Sequence, residues 1–551
     1  MPAPAEISEE EYAELVNVYH SSEDRTRQRR SKQPLHYPLA PRLVVPPSHH
    51  PSHDRREQSV EPPVNAEHRL QLNRLKALLT KKPGTVPHAQ LWEIYDSLPG
   101  PRTQYIRWKY LRKFFRHLAW IEYKDSEGTT QRYFTLLDEC HSEGVPLDAG
   151  VWNTAIAYAG HWSRFLNSDN VKRAIETWMR MENVGVKATE VTFNILFDLA
   201  VKAGRFALAD TIHNELKARD MMLNRYFRVS MIYYAGIRGD GNAVRQAFRD
   251  LVSAHEIVDT AVMNCVIASL IRAGEASAAE HVFIKMKNLH ESKFGTVGPD
   301  DWLGQKELGI LLDKTGQKLR QDKKEHESSF FGSPFSADDR REEVQRASPI
   351  APNSRTYSIL IQHHCRVTGD LDKIFELIEE LRGRQLKMHG HLFVHLFRGF
   401  KAFGGYAFSL WTPARLEHVY EQCLEAAMAD PSASRPAPDF GSHEDDIATL
   451  DDEWNGSVKS EPDEDTVRAD TSTSDAENQE KGRKVSLTDE RPPILNFTLM
   501  REVIGAFHQC VGRQRMVEVG NEMKLHRHNT GQDDPEDGEK IESLLQRLLF
   551  D

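Results

Sequence analysis

Apolar residues recur at helical spacing from about His68 onward, and the pattern itself repeats. In residues 190–224, Phe193, Leu196, Phe197 and Ala200 mark one helical face, and Ala209, Ile212 and Leu216 mark a second. That spacing predicts two amphipathic helices joined by a short turn. Gly204, Gly239 and Gly274 fall at one fixed interval of 35 residues, as do Leu216, Leu251 and Met286. The glycines stand where a chain leaving a helix needs a left-handed residue. Ala209, Val244 and Ala279, equivalent positions on the second helices, let neighbouring helices approach closely. One helix pair cannot bury its apolar face alone, whereas stacked pairs share a continuous core. The repeat therefore predicts an all-α fold, an α-solenoid of stacked helix-turn-helix repeats.

The same pattern divides the chain. Residues 1–65 are rich in Pro, His and Arg without periodicity, which predicts a disordered N-terminus. Residues 66–148 form an N-terminal helical region, carried by HRLQLNRLKALL, AQLWEIYDSL, RTQYIRWKYLRKFFRHLAW and YFTLLDECHSEGVPLD. Four contiguous units follow over 149–294, at 149–189, 190–224, 225–259 and 260–294, the first with six extra residues at its inter-helix turn. Residues 295–352 read as a mostly disordered insertion and 353–430 as two further helix pairs. Residues 431–490 read as an acidic disordered segment, 491–530 as a last pair and 531–551 as a tail with a short helix.

Charge and composition narrow the function. The net charge is -11, yet residues 441–480 hold fourteen acids against two bases and alone carry -12; the remainder is about +1. An acidic total therefore does not exclude a nucleic-acid partner. The five cysteines lie far apart with no Cys-x-x-Cys pair, which argues against a zinc ribbon or disulfide framework and for a reducing compartment. No apolar run approaches the roughly 20 residues of a membrane span, which predicts a soluble protein. His141-Ser142-Glu143 and His213-Asn214-Glu215 match half of a deaminase zinc signature, but no Cys-x-x-Cys follows either. The carboxylates of 444–465 lie in a polar run without apolar partners, and no phosphate-loop motif occurs. The expectation is no enzyme, no cofactor, no metal and no small-molecule substrate.

The 190–224 unit carries a resemblance. VTFNILFDLAVKAGRFALADTIHNELKARDMMLN closely resembles the pentatricopeptide (PPR) repeat, and LWEIYDSLP and HLFVHLFRGFKAFGG…WTPARL resemble segments of fungal mitochondrial PPR proteins. The resemblance implies that each repeat reads one RNA base through its fifth and last residues, Asn at the fifth place favouring pyrimidines and Ser or Thr purines. The fifth residues here are Asn153, Asn194, Val229, Asn264 and Ser358, and the last are Thr189, Asn224, Asp259, Phe294 and His389. Asn194 with Asn224 leans to cytosine, and Asn153 with Thr189 leans the same way. Val229 offers no hydrogen-bond donor, and Val394 and Glu502 mark the later pairs as structural repeats. The resemblance further implies an organellar mRNA as single-stranded partner, with the mitochondrial ribosome or RNA-processing proteins as further partners. It also implies a mitochondrial location, although MPAPAEISEEEYAEL does not look like a transit peptide; nucleus and cytoplasm are the alternatives.

A second RNA candidate is the basic, aromatic stretch 102–120. Arg107, Lys109, Arg112, Lys113 and Arg116 would contact phosphates and Trp108 would stack on a base. The plainer reading is an amphipathic helix whose aromatics are core. Two functions follow from the whole. The first is a sequence-selective single-stranded RNA-binding adaptor in mitochondrial transcript stability, processing or translation. The second is a helical-repeat scaffold for protein partners, without RNA readout. An Asn near a helix start also serves as a cap, so the reading residues needed to be located in space.

Overall fold

The structure, a computed structural model, describes residues 9–17, 65–81, 83–119, 126–160, 168–294, 350–384, 390–428, 497–529 and 535–550, with single or short placements at 62, 308–312, 314–316, 318, 344–345, 348, 386 and 495. Among them every regular element is helical. In chain order these are α1 (Glu9–Val16), α2 (Ala66–Leu79), α3 (His88–Asp96), α4 (Trp108–Leu118), α5 (Ser126–Ser142), α6 (Ala149–Gly160), α7 (Ser168–Asn183), α8 (Glu190–Lys202), α9 (Phe206–Ala218) and α10 (Arg225–Ile237). They continue as α11 (Gly241–Ser253), α12 (Thr260–Arg272), α13 (Ala276–Leu289), α14 (Ser354–His363), α15 (Leu371–Gly383), α16 (Gly390–Phe403), α17 (Pro413–Met428), α18 (Phe497–Cys510), α19 (Arg513–Asn529) and α20 (Pro535–Phe550). The predicted helix pairs are thus α6/α7 through α18/α19. The turn glycines take the left-handed backbone the interval required, with φ of 66° at Gly204, 71° at Gly239 and 81° at Gly274.

The chain divides into two compact units. The first is residues 34–230 with 436–472. Its N-terminal helices close over Leu75, Leu91, Leu111, Phe114 and Leu118, all essentially inaccessible. Tyr95 meets Phe114 edge-on at 5.3 Å, and Phe115 meets Tyr133 at 5.1 Å. Repeat packing follows in α6–α9. Trp178 of α7 stands edge-on to Phe193 of α8 at 5.6 Å, and the Arg219 guanidinium lies over both rings while holding Glu182. A Cβ at Gly160 would fall 2.4 Å from Leu199 Cδ1, so a larger residue on α6 would require the Leu199 side chain of α8 to shift.

The second unit is residues 231–435 with 1–33 and 473–551. Its core runs through Val266, Met286, Tyr357, Leu377, Phe397, Trp411, Val503 and Phe507. Two features depart from the sequence expectation. Residues 9–16 of the N-terminus expected to be structureless form α1, which packs on α11 and α13. The end of the 295–352 insertion is also placed: Gln345 hydrogen-bonds Val258 N and O at 2.9 and 2.6 Å, and Thr260 Oγ1 donates to Ala351 O at 2.9 Å. Residues 308–312 and 314–316 of the insertion are helical as well, with Leu312 buried, and the rest of the expected disorder, in the N-terminus, the insertion and 431–490, lies outside the described residues.

Candidate nucleic-acid interface

The last residue of each unit is, in space, the N-cap of the next unit's first helix. Thr189, Asn224, Asp259 and Asn353 each accept a hydrogen bond from the backbone N–H three residues on, at 3.4, 2.8, 3.0 and 3.1 Å. This satisfies one of the free N–H groups at a helix start. The fifth residue lies one turn into the previous first helix, and its side chain meets this cap. Capping and base reading therefore compete for the same polar atoms.

Two of the three asparagines are held in this way. Asn153 Nδ2 donates to Thr189 Oγ1 at 3.2 Å, and Thr192 Oγ1 donates to Asn153 Oδ1 at 2.6 Å. Asn264 repeats the arrangement: its Nδ2 donates to Asn353 Oδ1 at 3.1 Å and its Oδ1 accepts from Thr356 Oγ1 at 2.7 Å. Both asparagines are 4% exposed. Counting along the chain pairs Asn264 with Phe294, and the structure corrects this. The 295–352 insertion enters between the unit and the cap of the next, so Asn353 takes the last-residue place.

Asn194 differs. The third residue of the next first helix is Phe227 where the other two networks have Thr192 and Thr356. A phenyl ring has no hydroxyl to donate, and Asn194 Oδ1 is buried without a hydrogen-bond partner. Asn194 is half-buried, and Asn224 is spent as the cap of the next helix. An unpaired buried carbonyl costs about 1–3 kcal/mol, so Asn194 Oδ1 is an acceptor that no protein group uses. Val229 and Asp259 of the third unit are both 4% exposed, and Asp259 is spent as a cap. Ser358 is half-buried; its companion His389 lies outside the described residues.

The basic, aromatic stretch separates into core and surface. Tyr105, Phe114 and Phe115 are buried. Arg112 faces Asp148 at 3.4 Å, Arg107 and Lys109 are exposed, and Trp108, Lys113 and Arg116 are half-buried. Lys76 lies 5.6 Å from the Tyr110 ring centroid; burial and the charge of Arg107 lower its pKa. Trp108 and Tyr110 are the half-buried aromatics of the stretch, with Arg107 and Lys109 as its exposed cations.

A second cationic group, not marked in the sequence reading, lies on the first helices α14, α16 and α18 and on the π-helical turn His364–Thr368 that follows α14. Arg355, Arg366, His391, Arg398 and His395 face one another closely enough that His395, 4% exposed, is held well below the ordinary imidazole pKa, first by burial and then by those four neighbours. Arg355 Nε and Nη2 are buried without hydrogen-bond partners. Glu502, at the fifth position of its unit, is the counter-charge, 2.8 Å from Arg501, 3.3 Å from Arg398 and 3.6 Å from Lys401. Burial raises its carboxyl pKa, but the Arg501 hydrogen bond and the Lys401 and Arg398 charges outweigh it and hold the group below the ordinary value. Arg398, Lys401, Arg501 and Arg366 thus share one acid, with Arg355 near His395, and the group carries an excess of positive charge. No motif predicts it, because its members come together only across three helices and one turn.

Among the described residues no group of three or more His, Cys, Asp or Glu could hold a metal. Glu143 accepts a bond from Thr103, and His213 stacks on Phe227 at 5.4 Å, so both half-signatures are used in packing. Burial pushes the Cys265 thiol up to about 12 and the Cys510 thiol to about 11, away from nucleophilic form. No described helix is long and apolar enough to cross a membrane.

The comparisons meet this geometry at two of its units. Residues 191–221 and 261–290 match the model of the PPR repeat family. The chain carries PPR repeats. The first match contains Asn194 and the second Asn264, the open and one of the closed fifth positions of these PPR repeats. Among solved structures, the chain is similar to the pentatricopeptide repeat protein PPR10 in complex with an 18-nt psaJ RNA element, at 13% identity and a TM-score of 0.29, over 84% of this chain and 56% of that one. It is also similar to PPR10 from maize, at 14% identity and a TM-score of 0.27, over 82% of this chain and 58% of that one. The chain thus spans a little over half the length of these structures. No curated protein matches it.

Proposed function

We propose that the protein is a single-stranded RNA-binding adaptor whose PPR repeats read a short pyrimidine-leaning sequence, and that it acts on a mitochondrial transcript in stability, processing or translation. The observation that carries the reading is the Asn194–Asn224 pair. Asn194 lies in a segment that matches the PPR family, and its buried Oδ1 is used by no protein group, so a base edge that reached it would meet an unspent acceptor. Asn153 and Asn264 contribute after releasing a threonine hydroxyl, each retaining one amide N–H beyond its drawn bonds. Phosphates would be held by Arg107 and Lys109 in the first unit and by the Arg355–Arg398 group in the second.

The test is fluorescence anisotropy with pyrimidine-rich and purine-rich RNAs of ten to twelve nucleotides, chosen for a few repeats at one base each. The pyrimidine strand should bind more tightly, and its affinity should fall linearly on a log–log plot against salt, by about 0.7 for each phosphate neutralised. Asn194→Ala should weaken it about tenfold, the worth of one hydrogen bond. Absence of RNA binding by the folded protein at low salt would leave the protein-scaffold reading, which the closed networks at Asn153 and Asn264 favour. A fluorescent fusion in the protein's own cells tests the mitochondrial location against nucleus and cytoplasm.

A further inference from the structure

The second unit holds one more built site, on the second helices of the third and fourth repeats. The chain's own helix α1, EEEYAELV, lies against α11 and α13. Tyr12, Leu15 and Val16, spaced as one helical face, are 2%, 5% and 1% exposed. Glu11 is bound by Lys293 at 2.7 and 2.8 Å. The other end of α1 is received by cations: Arg245 Nε donates to Val16 O at 3.1 Å, Lys285 Nζ donates to Glu14 O, and Arg249 donates to Asn17 Oδ1 at 3.1 Å. Those carbonyls have no partner inside a helix, and the positive charges meet the negative end of its dipole.

The groove is preorganised without reference to RNA. Arg245 is 6% exposed and fixed by Glu275, itself 1% exposed, at 2.5 Å. Glu275 approaches α11 at Gly241, where a Cβ would fall 2.0 Å from Glu275 Oε1. Any side chain there would push Glu275 off Arg245 and release the carbonyl clamp. A helix of eight residues is also too short to persist alone in water. Its order comes from the groove, which supplies the apolar floor, the C-terminal cap and an ion pair.

We propose that the α11/α13 groove is a docking site for a short acidic amphipathic helix presented by a partner protein, and that residues 9–17 occupy it in cis until such a helix displaces them. The partner is identified by the chemistry of the occupant. It needs Tyr or another large apolar residue, then Leu and a β-branched residue three and four positions on, an acid ahead of them for Lys293, and a helix end at the Arg245–Lys285 clamp. The mode is a helix laid in a groove, and its cations would repel a basic helix. This inference is independent of the RNA reading.

The test uses the full chain and a labelled peptide of residues 6–18. With Tyr12→Ala and Leu15→Ala in its own α1, the protein should bind the peptide at least about tenfold more tightly than wild type does, because the tethered competitor is lost. Lys293→Glu in that background should abolish the gain, and a peptide with Glu11→Lys should restore it. A folded double variant that binds no better than wild type overturns the proposal, as does indifference to Lys293→Glu. If the double variant does not fold, hydrogen exchange of wild type decides. Excess peptide must then raise exchange in residues 9–17 while leaving 241–253 and 276–289 protected; unchanged exchange overturns it. Wild type that scatters light as a dimer, becoming monomeric in the double variant, would make a second copy the occupant and overturn the partner reading.

Discussion

The fifth position of a first helix carries an amide in residues 149–189, 190–224 and 260–294, and a valine or a carboxylate in 390–428 and 498–529. The backbone place is the same, and its chemistry is opposite. A neutral amide beside a polar cap can be opened to a base edge. Glu502 between Arg398, Arg501 and Lys401 neutralises cations instead, and only a competing anion could take over its role. Even among the amides the outcome is set one residue away. Thr192 and Thr356 close Asn153 and Asn264, whereas Phe227 leaves Asn194 open. The repeat geometry supplies the position, and the third residue of the following helix decides whether it is available.

The largest effect is expected where the comparison is most polar. Glu502→Ala leaves Arg398, Arg501 and Lys401 without their acid. Breaking a buried ion pair from one side costs about 3–5 kcal/mol, so the melting transition of this unit should fall on the order of 10 °C. Inorganic phosphate should recover more of that loss in the variant than it adds to wild type, since a bound anion would replace the carboxylate. Scanning calorimetry with and without phosphate reads both. A shift of only a degree or two would mean the cluster is already relaxed into solvent and would weaken its assignment as a phosphate contact.

A smaller pair of changes sharpens the contrast between closed and open asparagines. Asn153→Ala removes the partner of two threonine hydroxyls and should cost about 1–2 kcal/mol of stability. Asn194→Ala deletes a carbonyl that has no partner, so stability should hold or rise slightly while RNA affinity falls. Denaturant melts beside RNA titrations separate the two. If both substitutions destabilise equally, the difference between the networks is not energetic and the claim for Asn194 fails.

Much of the fold was legible before the structure, because the 35-residue interval and its glycines follow directly from helix length and the left-handed turn. The site was legible only in part. The fifth residues can be counted, but their partners cannot: the insertion moves the last-residue role from Phe294 to Asn353, and nothing local to Asn264 records it. The Thr/Phe alternation at 192, 227 and 356 was visible as letters, yet its meaning depends on a contact 30 to 90 residues away. Helix α1 was missed because eight residues with three buried apolar positions make no periodicity against a Pro- and Arg-rich background. The cationic group of α14, α16 and α18 was missed because its bases and Glu502 meet only across elements distant in sequence.

The smallest expected effect concerns pH. His395 is buried among Arg355, Arg366 and Arg398, and its pKa in the folded chain lies well below the ordinary 6.5. The unfolded chain binds a proton near pH 6.5 that the folded chain refuses, so the stabilising contribution is complete above 6.5 and is lost as pH falls below it. His117, His213, His290 and His364 are lowered too, burial being the first cause in each, and they act with the same sign. Melts between pH 7.5 and 5.5, a range set about the ordinary histidine pKa and above the ordinary carboxylate range, should therefore show falling stability. His395→Gln should flatten that fall in the second unit while leaving the slope of the first, where His117 and His213 remain. A variant with an unchanged slope would mean that His395 takes up its proton in the folded state. The arginines around it would then have to be farther away or already neutralised, and the anion-binding character of the cluster would be lost with them.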